Sequence, residues 1–73
     1  MEVKVYIPNI AREVVIHAAA DAAEVEKLLN AALAADGVLK LADEKGRIVL
    51  VPARMIGYLD IDQEKSRKVG FSI

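Results

Sequence analysis

One histidine, two serines, eleven carboxylates and no cysteine are the groups through which this chain could perform covalent or acid–base chemistry. Without cysteine there is no thiolate nucleophile, no disulfide and no thiolate zinc site. His17 stands beside Ala18-Ala19-Ala20. Its imidazole could accept a proton in a reaction, but a core or strand-end role is the simpler account. A catalytic triad would have to recruit Ser66 or Ser72, and neither lies on the glycine-rich strand-to-helix turn that exposes a nucleophilic serine. Asp60 and Asp62 project to one side of an extended segment, where Glu64 could join them as a hard oxygen donor for magnesium or calcium. No calcium-loop spacing accompanies them, and solvated strand-end carboxylates are the simpler explanation. Gly37, Gly46, Gly57 and Gly70 are scattered singly, so the chain has no phosphate-cradling loop. These residues predict no enzyme, no cofactor and no metal centre.

The cations are more suggestive. Residues 36–73 carry seven basic and six acidic side chains, whereas residues 1–35 sum to −2. Arg12, Arg47, Arg54, Lys65, Arg67 and Lys68 are candidate contacts for a phosphate, a nucleotide, a phosphorylated metabolite or an acidic partner. The whole chain carries −1. A dedicated nucleic-acid binder shows a much stronger basic field, which sets that alternative last.

The elements that position these groups follow from periodicity. Glu2 to Ile7 alternates, with Val3, Val5 and Ile7 on one side, and reads as a half-buried strand. Pro8-Asn9 breaks it, and Arg12 to His17 resumes as a second strand forming a hairpin with the first. Asp21 followed by Glu24 has capping-box spacing, and Val25, Leu28, Leu29, Ala32 and Leu33 then form one helical stripe. We expect a helix over 21–35, stopped by left-handed Gly37. Leu39 and Leu41 alternate next, and Asp43-Glu44-Lys45-Gly46 predicts a hairpin loop. Ile48 to Val51 is apolar on both sides, Ile56 to Ile61 reads as a further strand, and Val69, Phe71 and Ile73 suggest a closing one. The expectation is a single α+β domain over 1–73, in the order β-β-α-β-β-β(-β). One antiparallel or mixed sheet of five to six short strands would carry the helix on one face.

That arrangement leaves a second face. With Val3, Val5, Ile7, Leu39, Leu41, Ile48, Leu50, Leu59 and Ile61 assigned to the helix side, Tyr6, Val15, Val49, Val51, Ile56 and Tyr58 fall on the reverse as a candidate interaction surface. The chain has 73 residues, 55% of them apolar, yet twelve are alanines that bury little area. Apolar burial and conformational entropy come close to cancelling at this size, and a partner subunit is one way to tip the balance. No apolar run is long enough to cross a bilayer, and Met1-Glu2-Val3-Lys4 does not open a secretory leader, so a cytoplasmic protein without a membrane role is expected.

Several separated segments together resemble a known family: Glu2-Val3-Lys4, Asn9 to Val14, Asp43-Glu44-Lys45-Gly46-Arg47, Val51-Pro52-Ala53 and Arg67-Lys68-Val69-Gly70-Phe71. The chain is similar over nearly its whole length to the small actinobacterial proteins catalogued as domain of unknown function 3107. The resemblance implies an actinobacterial, cytoplasmic protein without an assigned activity. It places no catalytic residue on this chain, and the ATP-binding label that some members carry finds no phosphate loop here. The expected function is a non-enzymatic protein-interaction or regulatory module, a homodimer before any larger assembly, associating through the sheet face opposite the helix. A small domain binding a nucleotide or phosphorylated metabolite is the alternative.

Overall fold

The computed structural model describes residues 1–63. Lys65, Arg67, Lys68 and the expected closing strand around Val69 to Ile73 lie outside the described residues. The elements run β1 (Glu2–Ile7), β2 (Arg12–His17), α1 (Ala22–Ala35), β3 (Val38–Ala42), β4 (Ile48–Pro52) and β5 (Tyr58–Asp62), with 3-10 turns at Pro8–Ile10 and Ala53–Met55. The α+β class and the order β-β-α-β-β-β are as the sequence predicts.

The single sheet is not. The strands form a three-stranded antiparallel sheet, β2-β1-β5, and a separate two-stranded ribbon, β3-β4. β2 and the ribbon meet through one bridge, Ala18 with Asp43. The Ala19 amide donates to the Ala42 carbonyl at 3.1 Å, and the Glu44 amide to the His17 carbonyl at 2.9 Å. The ladder stops there because the next residues, Ala20 and Asp21, must turn the chain into α1. Ile56 is likewise outside any strand, since the turn at Ala53–Met55 intervenes and β5 begins only at Tyr58.

Helix α1 starts as its sequence dictates: the Asp21 carboxylate accepts from the Glu24 amide at 2.9 Å, satisfying one of the orphan donors of the first turn. It ends at Ala35, as expected, but a different residue makes the stop. Asp36, not Gly37, adopts the left-handed conformation (φ 52), and the Gly37 amide reaches back to the Ala32 carbonyl at 2.9 Å. That pair of features is a Schellman-type end, for which an aspartate suffices. Val25 and Ala32 of the stripe are buried, Leu28 and Leu29 pack against the core, and Leu33 is largely exposed.

The core comprises Val3, Val5, Ile16, Ala18, Val25, Leu39, Leu41, Val51 and Ala53, with Val14, Val49, Ile56, Leu59 and Ile61 packed around it. Here β4 corrects the sequence reading. Its register pairs Val49 with Leu41 and Val51 with Leu39, and directly opposed residues share a face. Because Leu39 and Leu41 point into the core, Val49 and Val51 must follow, while Ile48 and Leu50 turn outward. A run of four apolar residues has no alternation of its own, so the hairpin at Asp43–Arg47 decides which two are inside. Of the candidate interaction surface, Val51 is therefore buried in the core, while Val49 and Ile56 are half-buried against it.

Candidate functional site

The reverse surface divides into two unlike faces. On the three-stranded sheet the register sets Glu2 between His17 and Asp62, Lys4 between Val15 and Asp60, and Tyr6 between Glu13 and Tyr58. Tyr6, Val15 and Tyr58 thus lie on one outer face as expected, but among four carboxylates. The two tyrosine rings stack with centroids 5.2 Å apart and an interplanar angle of 19°. The Tyr58 hydroxyl donates to the Glu13 carboxylate at 3.3 Å. Burial first, and then the adjacent Glu13 charge, push the Tyr58 hydroxyl above its usual pKa. Gly57 makes the tyrosine approach feasible: its amide donates to the Tyr6 carbonyl at 2.7 Å. A β-carbon there would sit 3.1 Å from both the Tyr6 ring and the Pro8 ring.

The ribbon presents the apolar face. Val38, Ile48 and Leu50 are 53%, 54% and 61% exposed, and the register puts them on one side with Lys40, Ala42 and Pro52. The sequence signal for this face is the run Ile48-Val49-Leu50-Val51, of which the register exposes Ile48 and Leu50 and turns Val49 and Val51 to the core.

The hairpin at the end of the ribbon is built on Asp43, which is only 8% exposed. Its carboxylate accepts the Lys45 amide at 2.8 Å and the His17 amide at 3.4 Å, and an Arg47 guanidinium nitrogen stands 3.8 Å away. Donation from Lys45, with further help from His17 and Arg47, holds the carboxyl below its usual pKa although burial opposes the shift. Asp43 is therefore the joint between the two sheets, and His17 contributes to it through its backbone. Nothing in the sequence spacing linked positions 17 and 43.

The candidate cations are not gathered. Arg47 belongs to this hairpin joint. Arg12 pairs in register with Ile7 at the opposite end of β1, where Arg54, Pro8, Asn9 and Met55 line an open cleft of about 570 Å³. Among the described residues no three histidine or acidic side chains are placed to hold a metal ion, and no helix is long and apolar enough to cross a membrane. Chemically, the arrangement offers an acidic aromatic face, an apolar ribbon face and a one-cation cleft. A comparison with curated proteins finds no match. The family model described as Protein of unknown function (DUF3107) matches residues 1–72, and the chain belongs to that family.

Proposed function

We propose that this protein is a non-enzymatic interaction module that self-associates, as a homodimer, through the side of its β-structure turned away from α1. The observation that carries the reading is the exposure of Val38, Ile48 and Leu50 together on the ribbon. A small domain with a thin core gains from covering such residues, and contiguous exposed apolar side chains mark association surfaces more often than isolated ones do. A cytoplasmic setting fits the cysteine-free composition. Sedimentation velocity from about 10 µM to about 1 mM tests the proposal, a span that brackets weak to moderate interfaces. A mass that rises with concentration supports it; an unchanging monomer overturns it.

A second reading rests on the cleft, where Arg54 and Asn9 sit between the apolar flanks of Pro8 and Met55. It would suit a small anionic ligand such as a nucleotide or phosphorylated metabolite, with the cation meeting phosphate. Calorimetry with such ligands, repeated on Arg54→Ala, tests this reading, and absence of heat at millimolar ligand removes it.

A further inference from the structure

The two sheets differ in how their outer strands are guarded. β5 lies at the edge of its sheet, and Asp60 sits at its centre with Asp62 at its end. A second copy pairing along β5 would bring these carboxylates together, and like charges placed opposite one another are destabilising. Among the described residues β2, β3 and β4 are likewise paired along one side only; β2 carries Arg12 and Glu13, and β3 carries Lys40 and is tied at its end to Ala19, which leaves β4 as the uncharged edge. It reads Ile48-Val49-Leu50-Val51-Pro52 and contains no charge.

Among the described residues, the hydrogen-bonding pattern fixes which backbone groups of β4 are left free by β3. The Asp43 amide donates to Arg47 at 2.7 Å, and the Ala53 amide to Gly37 at 2.9 Å. These are two hydrogen-bonded pairs of the same antiparallel register as Leu41 with Val49 and Leu39 with Val51. Bonded and non-bonded pairs alternate along an antiparallel ladder. Val49 and Val51 therefore bond to β3, whereas the amides and carbonyls of Ile48 and Leu50 point to the open edge. Pro52 shares the parity of Ile48 and Leu50, so its missing N–H costs the β3 ladder nothing and falls on that open edge.

We propose that two copies join edge to edge through β4, antiparallel across a two-fold axis, making one four-stranded sheet β3-β4-β4-β3; this rests on the self-association reading and specifies its contact. The register follows from the free groups. Ile48 of one copy opposes Leu50 of the other and Val49 opposes itself on the axis, so that both strands use all four free donors and acceptors. Shifting by two residues would oppose Ile48 to Pro52, which has no amide to give. No charge lies within the pairing, so nothing repels at the axis. The antiparallel arrangement also brings the hairpin carrying Glu44 in one copy to the end carrying Arg54 in the other. A ladder this short buries less than the roughly 800 Å² per partner of a standard interface, so the dimer is weak and reversible.

Residue-resolved amide exchange at increasing protein concentration tests the pairing. Exchange at Ile48 and Leu50 slows with concentration while Val49 and Val51 stay protected throughout. Leu50→Pro removes an outward amide together with the leucine side chain, so it is compared with Leu50→Ala, which keeps the amide; relative to that variant the proline is expected to weaken association by about tenfold or more through the loss of one hydrogen bond per copy. Circular dichroism confirms that it folds, and Ile48→Pro repeats the test on the other outward amide. A dimer in which Ile48 and Leu50 exchange freely, and which survives both prolines but is lost in Val38→Lys, overturns edge pairing and leaves association through the ribbon face standing. A monomer at every concentration overturns both.

Discussion

A carboxylate that accepts backbone amides from two places ties those places together most strongly while it is ionised, and Asp43 is such a group. Its folded pKa lies below the ordinary value of 3.8, so the unfolded chain binds a proton more readily than the folded one does. The stabilisation from Asp43 is therefore complete above pH 3.8 and disappears as pH falls through the depressed folded value. Asp43→Asn keeps the shape and gives up the charge. Its unfolding midpoint at pH 7 is expected to be lower than that of the natural chain, with the gap narrowing on acidification towards pH 2. A gap that stays constant would show that the charge is irrelevant to the joint. Ala11 offers the opposite kind of test. It closes the first 3-10 turn with φ 50, a left-handed conformation that an alanine adopts only at a cost. Ala11→Gly removes about 1–2 kcal/mol of strain and adds about 0.5–1 kcal/mol of unfolded-state entropy. A net gain on the order of 0.5–1 kcal/mol in urea denaturation is expected from that difference.

Among the elements, those with a local code were legible and those decided by pairing were not. Asp21 and Glu24 announce α1 because a cap and an apolar stripe are written within a few residues of each other. Gly46 announces the β3–β4 hairpin because its φ of 90 suits glycine. The alternation of Val3 and Val5 shows which side of β1 is buried. β4 has no such pattern, so its orientation depends on register, which is a property of two strands together. The division into two sheets was also invisible, since it hangs on the Ala18–Asp43 bridge between residues far apart in sequence. The inverted β4 gives a direct prediction. Val51→Ala empties a buried site and is expected to cost about 1–3 kcal/mol. Leu50→Ala, although it removes a larger side chain, is expected to change monomer stability by no more than about 0.5 kcal/mol. Equal effects in chemical denaturation at low protein concentration would contradict the register.

Taken whole, the molecule gathers four of its acids on the face of one sheet and the most exposed apolar side chains of its strands on the other, and this separation decides how association should respond to conditions. The carboxylates Glu2, Glu13, Asp60 and Asp62 share the face of β2-β1-β5, away from the uncharged edge of β4. A net charge of −1 leaves little long-range repulsion between copies. A dimer that forms only between folded copies would stabilise the fold by mass action. At about ten times the dissociation constant the gain is about 1.4 kcal/mol, which for a domain of this size corresponds to a rise of about 6 to 11 °C in the thermal midpoint. At the same concentration a tenfold weaker Leu50→Pro should gain only about 0.4 kcal/mol. Salt separates this account from one based on the scattered cations. Hydrogen bonds and apolar contact along β4 should hold between roughly 50 and 500 mM salt, whereas an association held by Arg12, Arg47 or Arg54 on an acidic face would weaken as the screening length shrinks to a few ångströms. A dimer that dissociates steeply over that range would place the interface on the charged sheet and remove β4 from it.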